Sequence, residues 1–251
     1  MRFDILTLFP EMFESVFSYG IIKRALDNSI IDINSYNIRD FSEDKFNRVD
    51  DYPYGGGPGM VLQPQPIYKA LKSIDIEDGT PVIYVTPAGT PFTQKKAEEF
   101  ASKKRLVILS GHYEGVDERI VENCVTDEVS IGDFVMSGGE IPAMAIIDAV
   151  ARLLPGVLGN LNSTCDESFN NNILEYPQYT RPYSFKGMEV PDILLSGNHA
   201  EIYKWRRQQS LERSFFRRPE LIKKAILNDQ DKKYISQLKR YGKEGKNGLG
   251  K

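Results

Sequence analysis

The chain has 251 residues, of which 41% are hydrophobic and 27% are charged, and this composition excludes disordered and fibrous proteins. No segment approaches the roughly 20 apolar residues that span a bilayer. Asp4 and Pro10 interrupt the apolar N-terminus, which is therefore too short for the core of a signal peptide. We expect a soluble, cytoplasmic protein with no membrane contact and one or two domains.

In chain order, short β-rich apolar runs at residues 3–8, 82–86, 106–110 and 127–130 predict strands. Helical patterns cover residues 10–28 with a break at Gly20, and residues 65–73, 93–102, 142–154, 198–210, 219–228 and 229–241. Thr93 is placed to cap one helix, and Pro142 suits the first turn of another. Strands that alternate with helices predict an α/β fold with a mostly parallel sheet.

The chain changes in composition and charge after residue 158. Residues 159–174, rich in Asn, Ser, Thr and acidic groups, predict a flexible linker or lid between a domain of residues 1–158 and a helical domain of residues 175–251. Residues 1–174 carry 15 Lys and Arg against 26 Asp and Glu, whereas residues 175–251 carry 17 against 9. The basic part indicates either a module that meets polyanions or an ordinary solvated surface.

The cysteines, Cys124 and Cys165, do not have the spacing of a metal site, and only His112 and His199 could join them. We therefore expect two free thiols and no metal bound by these residues.

Two glycine-rich stretches stand out. Residues 54–60 read Tyr-Gly-Gly-Gly-Pro-Gly-Met, and such a loop can bring its backbone N–H groups close to a phosphate or a base edge. It is not a P-loop, because no Gly-Lys-Ser/Thr follows, and an unusual structural turn is the alternative. Residues 130–140 mix glycine with small apolar residues, which suits a pocket for a flat heterocycle but does not match the Rossmann fingerprint.

Polar and glycine residues follow two predicted strands. Residues 87–89 are Pro-Ala-Gly, and residues 111–115 are Gly-His-Tyr-Glu-Gly. Ligands of open α/β sheets bind at the carboxyl ends of strands, so these segments predict a binding site. The alternative for His112, Tyr113 and Glu114 is a hydrogen-bonded loop network without a ligand.

Seven stretches resemble, in the same order, the bacterial tRNA (guanine-N1)-methyltransferase family of the SPOUT class. They are residues 8–13, 54–60, 111–119, 130–140, 155–159, 179–182 and 194–200. The resemblance covers nearly the whole chain and thins after about residue 228. It implies a SPOUT-type parallel sheet with a C-terminal trefoil knot, a rare feature in proteins, and a small helical C-terminal domain. It also implies a homodimer whose subunits share each active site.

The resemblance further implies that the knot loops, at residues 84–89, 110–115 and 130–142, bind S-adenosylmethionine. The cofactor-binding residues expected from it are Tyr84, Val85, Pro87, Gly111, Tyr113, Glu114, Ile131, Gly132, Asp133, Phe134, Val135, Met136, Gly138, Gly139 and Pro142. Glu114 is expected to orient the cofactor and the target base, and to face either the positive charge of the cofactor or a bound Mg²⁺. No recognisable Mg²⁺ cage stands in the sequence, so Mg²⁺ is only a possible cofactor.

The reaction implied is methylation at N1 of the guanine immediately 3′ of the tRNA anticodon. Guanine N1 carries a proton at neutral pH, so the reaction needs a general base and stabilisation of charge on O6. Arg152 matches the catalytic arginine of the family and is expected to donate to O6; a helix C-terminal charge is the alternative. The family places an aspartate directly before Ser-Phe, but here Glu167 holds that position. We favour Glu167 as the base, with the neighbouring Asp166 as the alternative.

The residues expected to contact the tRNA are Gly57, Pro58, Gly59, Asn198, His199, Arg206 and Arg207. Asn198 either contacts RNA or only caps a helix, and Trp205 either stacks on a base or packs in the core.

Three other functions compete with this one. They are a SPOUT methyltransferase with another target, an RNA-binding protein that has lost catalysis, and a nucleotide-binding protein unrelated to RNA. The glycine loop argues against the first. The intact Arg152 and cofactor loops argue against the second, and the basic C-terminal part argues against the third.

Overall fold

A computed structural model describes residues 1–158 and 168–247. The chain divides into two compact units, Met1–Leu161 (unit 1) and Asn162–Lys251 (unit 2). Within the described residues, no helix is both long enough and apolar enough to cross a membrane.

Unit 1 alternates strands and helices. Its strands are β1 (Arg2–Thr7), β2 (Asp32–Asn37), β3 (Asp50–Asp51), β4 (Val61–Leu62), β5 (Val82–Pro91), β6 (Arg105–Ser110) and β7 (Asp127–Ser130). Its helices are α1 (Pro10–Phe17), α2 (Gly20–Asp27), α3 (Pro64–Ser73), α4 (Gln94–Ala101), α5 (Glu118–Cys124) and α6 (Glu140–Ala151). Five strands form one parallel sheet in the order β2-β1-β6-β5-β7. The predicted α/β class with a parallel sheet is therefore confirmed.

The sheet is buried on both faces, as parallel sheets usually are. Phe3 and Ile5 of β1 lie opposite Leu106 and Ile108 of β6, and all four belong to a core that includes side chains of α1, α2, α4 and α6. The alternate residues of the same strands face a second core, which α3 and α5 cover. Two apolar faces explain why β1 and β6 have nearly continuous apolar sequences.

The predicted strands and helices of unit 1 are confirmed, with shifted ends. Thr93 caps α4, where its hydroxyl accepts a hydrogen bond from the Lys96 N–H at 3.3 Å. Pro142 lies in the first turn of α6, which ends at Ala151 rather than at residue 154. The sequence analysis missed β2, whose sequence Asp-Ile-Asn-Ser-Tyr-Asn has no apolar run. This strand is at the sheet edge and pairs only with β1, so its position makes a polar sequence tolerable.

Unit 2 is mainly helical. Its elements are β8 (Ser184–Phe185), β9 (Met188–Glu189), α7 (His199–Arg217), α8 (Pro219–Ile222) and α9 (Asp229–Asn247). Ile173, Leu211 and Ile235 form its core, and the Leu174 N–H donates to the Ser214 hydroxyl at 2.7 Å. Residues 168–174, at the end of the predicted linker, thus pack within unit 2.

The prediction of a helix through residue 228 is wrong, because α8 ends at Ile222. Asn228 instead begins the next helix. Its side chain accepts from the Asp231 N–H at 2.8 Å, and its own N–H donates to the Asp231 carboxylate at 3.1 Å. This reciprocal arrangement is a capping box, so Asn228 marks a helix start rather than a helix end.

A buried carboxylate ties the sheet of unit 1 together. Asp4 on β1 has no exposed surface. Its carboxylate accepts from Arg105 Nε of β6 at 2.6 Å, from Arg2 Nε at 3.0 Å and from the Tyr36 hydroxyl of β2 at 3.1 Å. Arg105 also donates to the carbonyl of Ile74 at 2.7 Å.

We expect Asp4→Ala to lower the free energy of unfolding by about 3–5 kcal/mol, because it leaves the guanidinium of Arg105 partly buried without its carboxylate. Asp27→Ala is the control, since Asp27 forms an exposed ion pair with Lys23 worth less than about 1 kcal/mol. Urea denaturation followed by far-ultraviolet circular dichroism measures both. Equal losses in the two variants would contradict a structural role for Asp4.

Candidate functional site

A cavity of about 260 Å³ lies in unit 1 between a bulge in β5 and the carboxyl ends of β6 and β7. The bulge and the loops that follow β6 and β7 form its wall. The lining residues are Tyr84, Val85, Thr86, Pro87, Gly111, His112, Tyr113, Glu114, Gly115, Ser130, Ile131, Gly132, Phe134, Val135, Met136, Ser137, Gly138, Gly139 and Pro142.

The loop after the first half of β5 is a bulge. The pairing of β5 with β7 shifts between Val85 and Thr90, so residues 86–89 leave the ladder. Gly89 is required here, because a Cβ on it would lie 2.3 Å from the Val129 backbone nitrogen. The bulge places Thr86 and Pro87 in the cavity wall.

The loop after β6 packs against the Tyr84 ring. A Cβ on Gly111 would lie 3.0 Å from that ring. Burial raises the pKa of the Tyr84 hydroxyl, so the side chain is neutral at physiological pH. Tyr113 has φ +60°, a conformation that residues other than glycine seldom adopt and that clusters at functional sites.

The loop between β7 and α6 is pressed against the β6 loop. The Gly139 N–H donates to the Gly111 carbonyl at 2.8 Å, and a Cβ on Gly139 would lie 2.8 Å from the Ser110 Cα. A Cβ on Gly138 would lie 2.3 Å from His112 Nε2. Side chains are therefore excluded at both glycines, and the loops meet through their backbones.

A hydrogen-bonded triad of Thr7, His112 and Glu140 stabilises the contact between the β6 loop and the β7–α6 loop. The Thr7 hydroxyl donates to Glu140 Oε1 at 2.6 Å, and His112 Nε2 lies 2.7 Å from Glu140 Oε2. Glu140 is 2% exposed, although it is the first residue of an apolar helix. The sequence analysis assigned no role to Glu140; an acid at the start of a mostly apolar helix was the available signal.

The glycine loop of residues 54–60 lies beside the cavity. Gly55, Gly56, Gly57 and Gly59 all have positive φ, as the sequence predicted. A Cβ on Gly59 would lie 2.3 Å from the Glu114 carboxylate. The Glu114 N–H donates to the Met60 carbonyl at 2.9 Å, so the end of this loop is fixed to the cavity wall.

The comparisons with known proteins agree with this architecture. Residues 1–224 match the family described as tRNA (Guanine-1)-methyltransferase TrmD. The chain belongs to this family. It is 55% identical over 237 residues to the tRNA (guanine-N(1)-)-methyltransferase of Caldanaerobacter subterraneus subsp. tengcongensis, covering 94% of this chain and 98% of that protein. It is 53% identical over 240 residues to the enzymes of the same name from Staphylococcus carnosus and Dictyoglomus turgidum, covering 96% of this chain and 98% and 97% of those proteins.

The cofactor residues expected from the family resemblance all line the cavity except Asp133. The cavity wall also contains residues that the sequence analysis did not assign to the cofactor. These are Thr86, His112, Gly115, Ser130 and Ser137.

Of the three expected catalytic residues, the structure describes only Arg152. Arg152 is half-buried and follows α6 directly, where its backbone N–H donates to the Asp148 carbonyl at 3.1 Å. Glu167 and Asp166 lie outside the described residues, as does Cys165. Cys124 is a free thiol, and within residues 1–158 and 168–247 no group of three or more His, Cys, Asp or Glu side chains could hold a metal ion.

The residues expected to contact RNA have varied surroundings. Gly57, Pro58 and Gly59 are exposed. The Asn198 side chain caps α7 by accepting from the Glu201 N–H at 3.3 Å. Arg207 donates to the buried Asp231 at 2.8 Å, and its charge is therefore already paired within unit 2. The remaining two are His199, which is exposed, and Arg206, which is half-buried.

We expect Glu140→Ala to lower the free energy of unfolding by about 2–5 kcal/mol, because the Thr7 hydroxyl and His112 lose their buried partner. Glu140→Gln keeps an oxygen for Thr7 and should cost about 1 kcal/mol. Urea denaturation followed by circular dichroism is the measurement, since the single tryptophan, Trp205, lies in unit 2.

The control is Glu122→Ala, which removes an exposed glutamate of the same unit and should change stability by no more than about 0.5 kcal/mol. If Glu140→Ala were as mild as this control, the triad would not stabilise the cavity wall.

Proposed function

We propose that this protein transfers the methyl group of S-adenosylmethionine to N1 of the guanine immediately 3′ of the anticodon in tRNA. The observation that carries the proposal is the glycine-rich cavity between the bulge of β5 and the carboxyl ends of β6 and β7, in a chain whose first 224 residues match one tRNA methyltransferase family. We assign the chain to the cytoplasm, where such tRNA is available.

The cavity suits the cofactor chemically. Gly111 and Gly138 have no side chain to cover the backbone of the wall, and backbone groups of this kind can bind the edge of a flat adenine ring. Phe134 and Met136 add apolar surface, and Glu114 adds a carboxylate that attracts a positively charged sulfonium. When bound, S-adenosylmethionine supplies an electrophilic methyl group.

The residues around the target base must remove a proton and stabilise charge. Loss of the N1 proton makes guanine nucleophilic and moves negative charge toward O6. We assign the proton to Glu167, with Asp166 as the alternative, and the O6 charge to the guanidinium of Arg152. Glu114 lies at the wall nearest the glycine loop, and we place any Mg²⁺ requirement there.

Methyl transfer from labelled S-adenosylmethionine to transcribed tRNA tests the proposal. One tRNA carries guanine immediately 3′ of the anticodon, and the other carries adenine there. We expect transfer only to the guanine form, with the product mapped to N1. Transfer to both forms, or to neither form despite cofactor binding, would reject the proposal.

The base assignment predicts different results for two neighbouring substitutions. Glu167→Gln should lower kcat by about 10²–10⁴-fold, because it removes the general base. Asp166→Asn is the matched control, because it removes the neighbouring carboxylate, one position earlier in the sequence. Its kcat should stay within a few-fold of the wild-type value. The opposite pattern would move the base to Asp166.

We assign tRNA binding mainly to the basic residues 175–251. Lys204 of α7 is 61% exposed and forms an exposed ion pair with Glu201 at 3.7 Å, and we propose that its positive charge contacts a phosphate. Each such contact releases counterions, so affinity falls with salt concentration.

Lys204→Ala should reduce the slope of log Kd for tRNA against log salt by about 0.7–0.9. Lys23→Ala is a matched control, since Lys23 also belongs to an exposed ion pair on a helix, but in unit 1. Fluorescence anisotropy at several salt concentrations measures both slopes. An unchanged slope for Lys204→Ala would remove Lys204 from the RNA contact.

The homodimer and the trefoil knot are parts of the same proposal. Unit 1 exposes large apolar side chains that a second subunit could cover. They are Phe9, Met12, Val16, Tyr19, Phe134, Val135 and Ile141. The tight backbone contact of Gly139 with Gly111 and Ser110 supports a knot, in which chain segments cross at close range.

A further inference from the structure

Unit 2 contains a cavity of its own, with four tyrosines in its wall. Its volume is about 780 Å³. We call it the tyrosine hollow, after Tyr176, Tyr179, Tyr183 and Tyr203 in its wall. The other lining residues are Pro177, Gln178, Thr180, Arg181, Val190, Leu194, Leu195, His199, Ile202 and Arg206.

One face of α7 supplies the floor of the tyrosine hollow. His199, Ile202, Tyr203 and Arg206 are spaced i, i+3, i+4 and i+7, which places them on the same side of the helix. Tyr203 is 71% exposed, and Leu195 nearby in the sequence is 61% exposed. Large side chains at such exposure leave most of their surface accessible to a ligand.

The other rings of the tyrosine hollow are held in place. The Tyr183 hydroxyl lies 3.2 Å from the Asp192 carboxylate and 3.3 Å from that of Glu189. The Tyr179 ring packs at 6.4 Å from the Trp205 ring, centroid to centroid. These contacts fix the rings before any ligand arrives, which lowers the entropy lost on binding.

Two arginines add positive charge to the same wall. The Arg206 guanidinium carbon lies 4.7 Å from the centre of the Tyr176 ring, at cation–π distance. Its Nε is buried, and the described residues offer it no hydrogen-bond partner. Arg181 is exposed at the rim, where a phosphate can reach it.

Exposed rings beside guanidinium groups are what single-stranded nucleic acid requires. An unpaired base stacks on an aromatic side chain, and its backbone phosphate pairs with a cation. A base within a helical stem offers no free face for such stacking. The rigid aromatic wall therefore favours an unpaired nucleotide over a stem.

We propose that the tyrosine hollow binds one unpaired nucleotide of the substrate tRNA, with its base stacked on Tyr203 and its phosphate at Arg181. This nucleotide is distinct from the methylated guanine, which belongs to the site of unit 1. The inference rests on the proposed function, because it takes tRNA as the substrate.

The test is equilibrium binding of tRNA to Tyr203→Ala and Tyr203→Phe in the full-length protein. Loss of one stacked base should weaken tRNA binding by about 5- to 150-fold in Tyr203→Ala. Tyr203→Phe keeps the ring and should bind within about two-fold of the wild type. The salt dependence of Kd should not change, because no charge is removed. Methyl transfer at saturating tRNA and affinity for S-adenosylhomocysteine should also stay at the wild-type values.

Tyr68→Ala is the control for removal of a tyrosine. Tyr68 lies on α3 of unit 1, is 48% exposed and has Lys72 over its ring, so it matches Tyr203 in kind but lies outside the tyrosine hollow. It should bind tRNA like the wild type. Thermal unfolding of each variant separates a binding defect from a folding defect.

A fluorescent base locates the nucleotide. 2-Aminopurine placed at single unpaired positions of the tRNA should be quenched by the wild-type protein at one position, and Tyr203→Ala should abolish that quenching. Wild-type affinity in Tyr203→Ala, or quenching that persists in it, would overturn the inference. Weaker binding together with a changed oligomeric state in sedimentation would also overturn it, because the hollow would then hold a second copy of the chain. Failure of the wild type to methylate tRNA would instead reject the proposed function, and the binding assay keeps the two failures apart.

Discussion

The carboxylate of Glu140 joins three distant parts of unit 1, and the cavity wall depends on that junction. Through Thr7 it reaches the end of β1, and through His112 it reaches the loop after β6. Glu140 itself begins α6, which packs in the core beneath the sheet. A buried carboxylate must have its hydrogen-bond partners, so these three segments can meet in only one arrangement. The loops that surround the cavity are positioned by this constraint.

Glycines let the loops of the cavity wall approach one another closely. Gly138 and Gly139 have no space for a Cβ. Each glycine therefore permits a close approach between two chain segments. A wall of this kind offers fixed N–H and C=O groups, which cost no side-chain entropy when a ligand binds. It also means that adding any side chain at these positions disrupts the wall itself.

The cavities of the two units differ in their linings. Five glycines and the carboxylate of Glu114 contribute to the cavity of unit 1, whereas four tyrosines and two arginines line the tyrosine hollow of unit 2. Charge follows the same division, because the positive excess lies in residues 175–251. Some of this charge is used inside unit 2, as in the Arg207–Asp231 pair. The exposed Lys204 is also paired, with Glu201 at 3.7 Å.

The amino-acid sequence by itself determined the family, the parallel α/β sheet and most of the cavity wall. The sheet follows from local signals, which are the apolar runs of β1, β5 and β6, whereas the family and the cavity residues follow from the resemblance of seven stretches to one family. The sequence did not reveal β2, because an edge strand needs no apolar pattern. Nor did it reveal the partners of Glu140 and Asp4, or the pairing of Arg207. Those choices connect residues as much as 133 positions apart, and only the folded chain brings such residues within hydrogen-bond distance. The tyrosine hollow was hidden for the same reason, since its rings come from an irregular segment and a helix whose shared face exists only after unit 2 has packed.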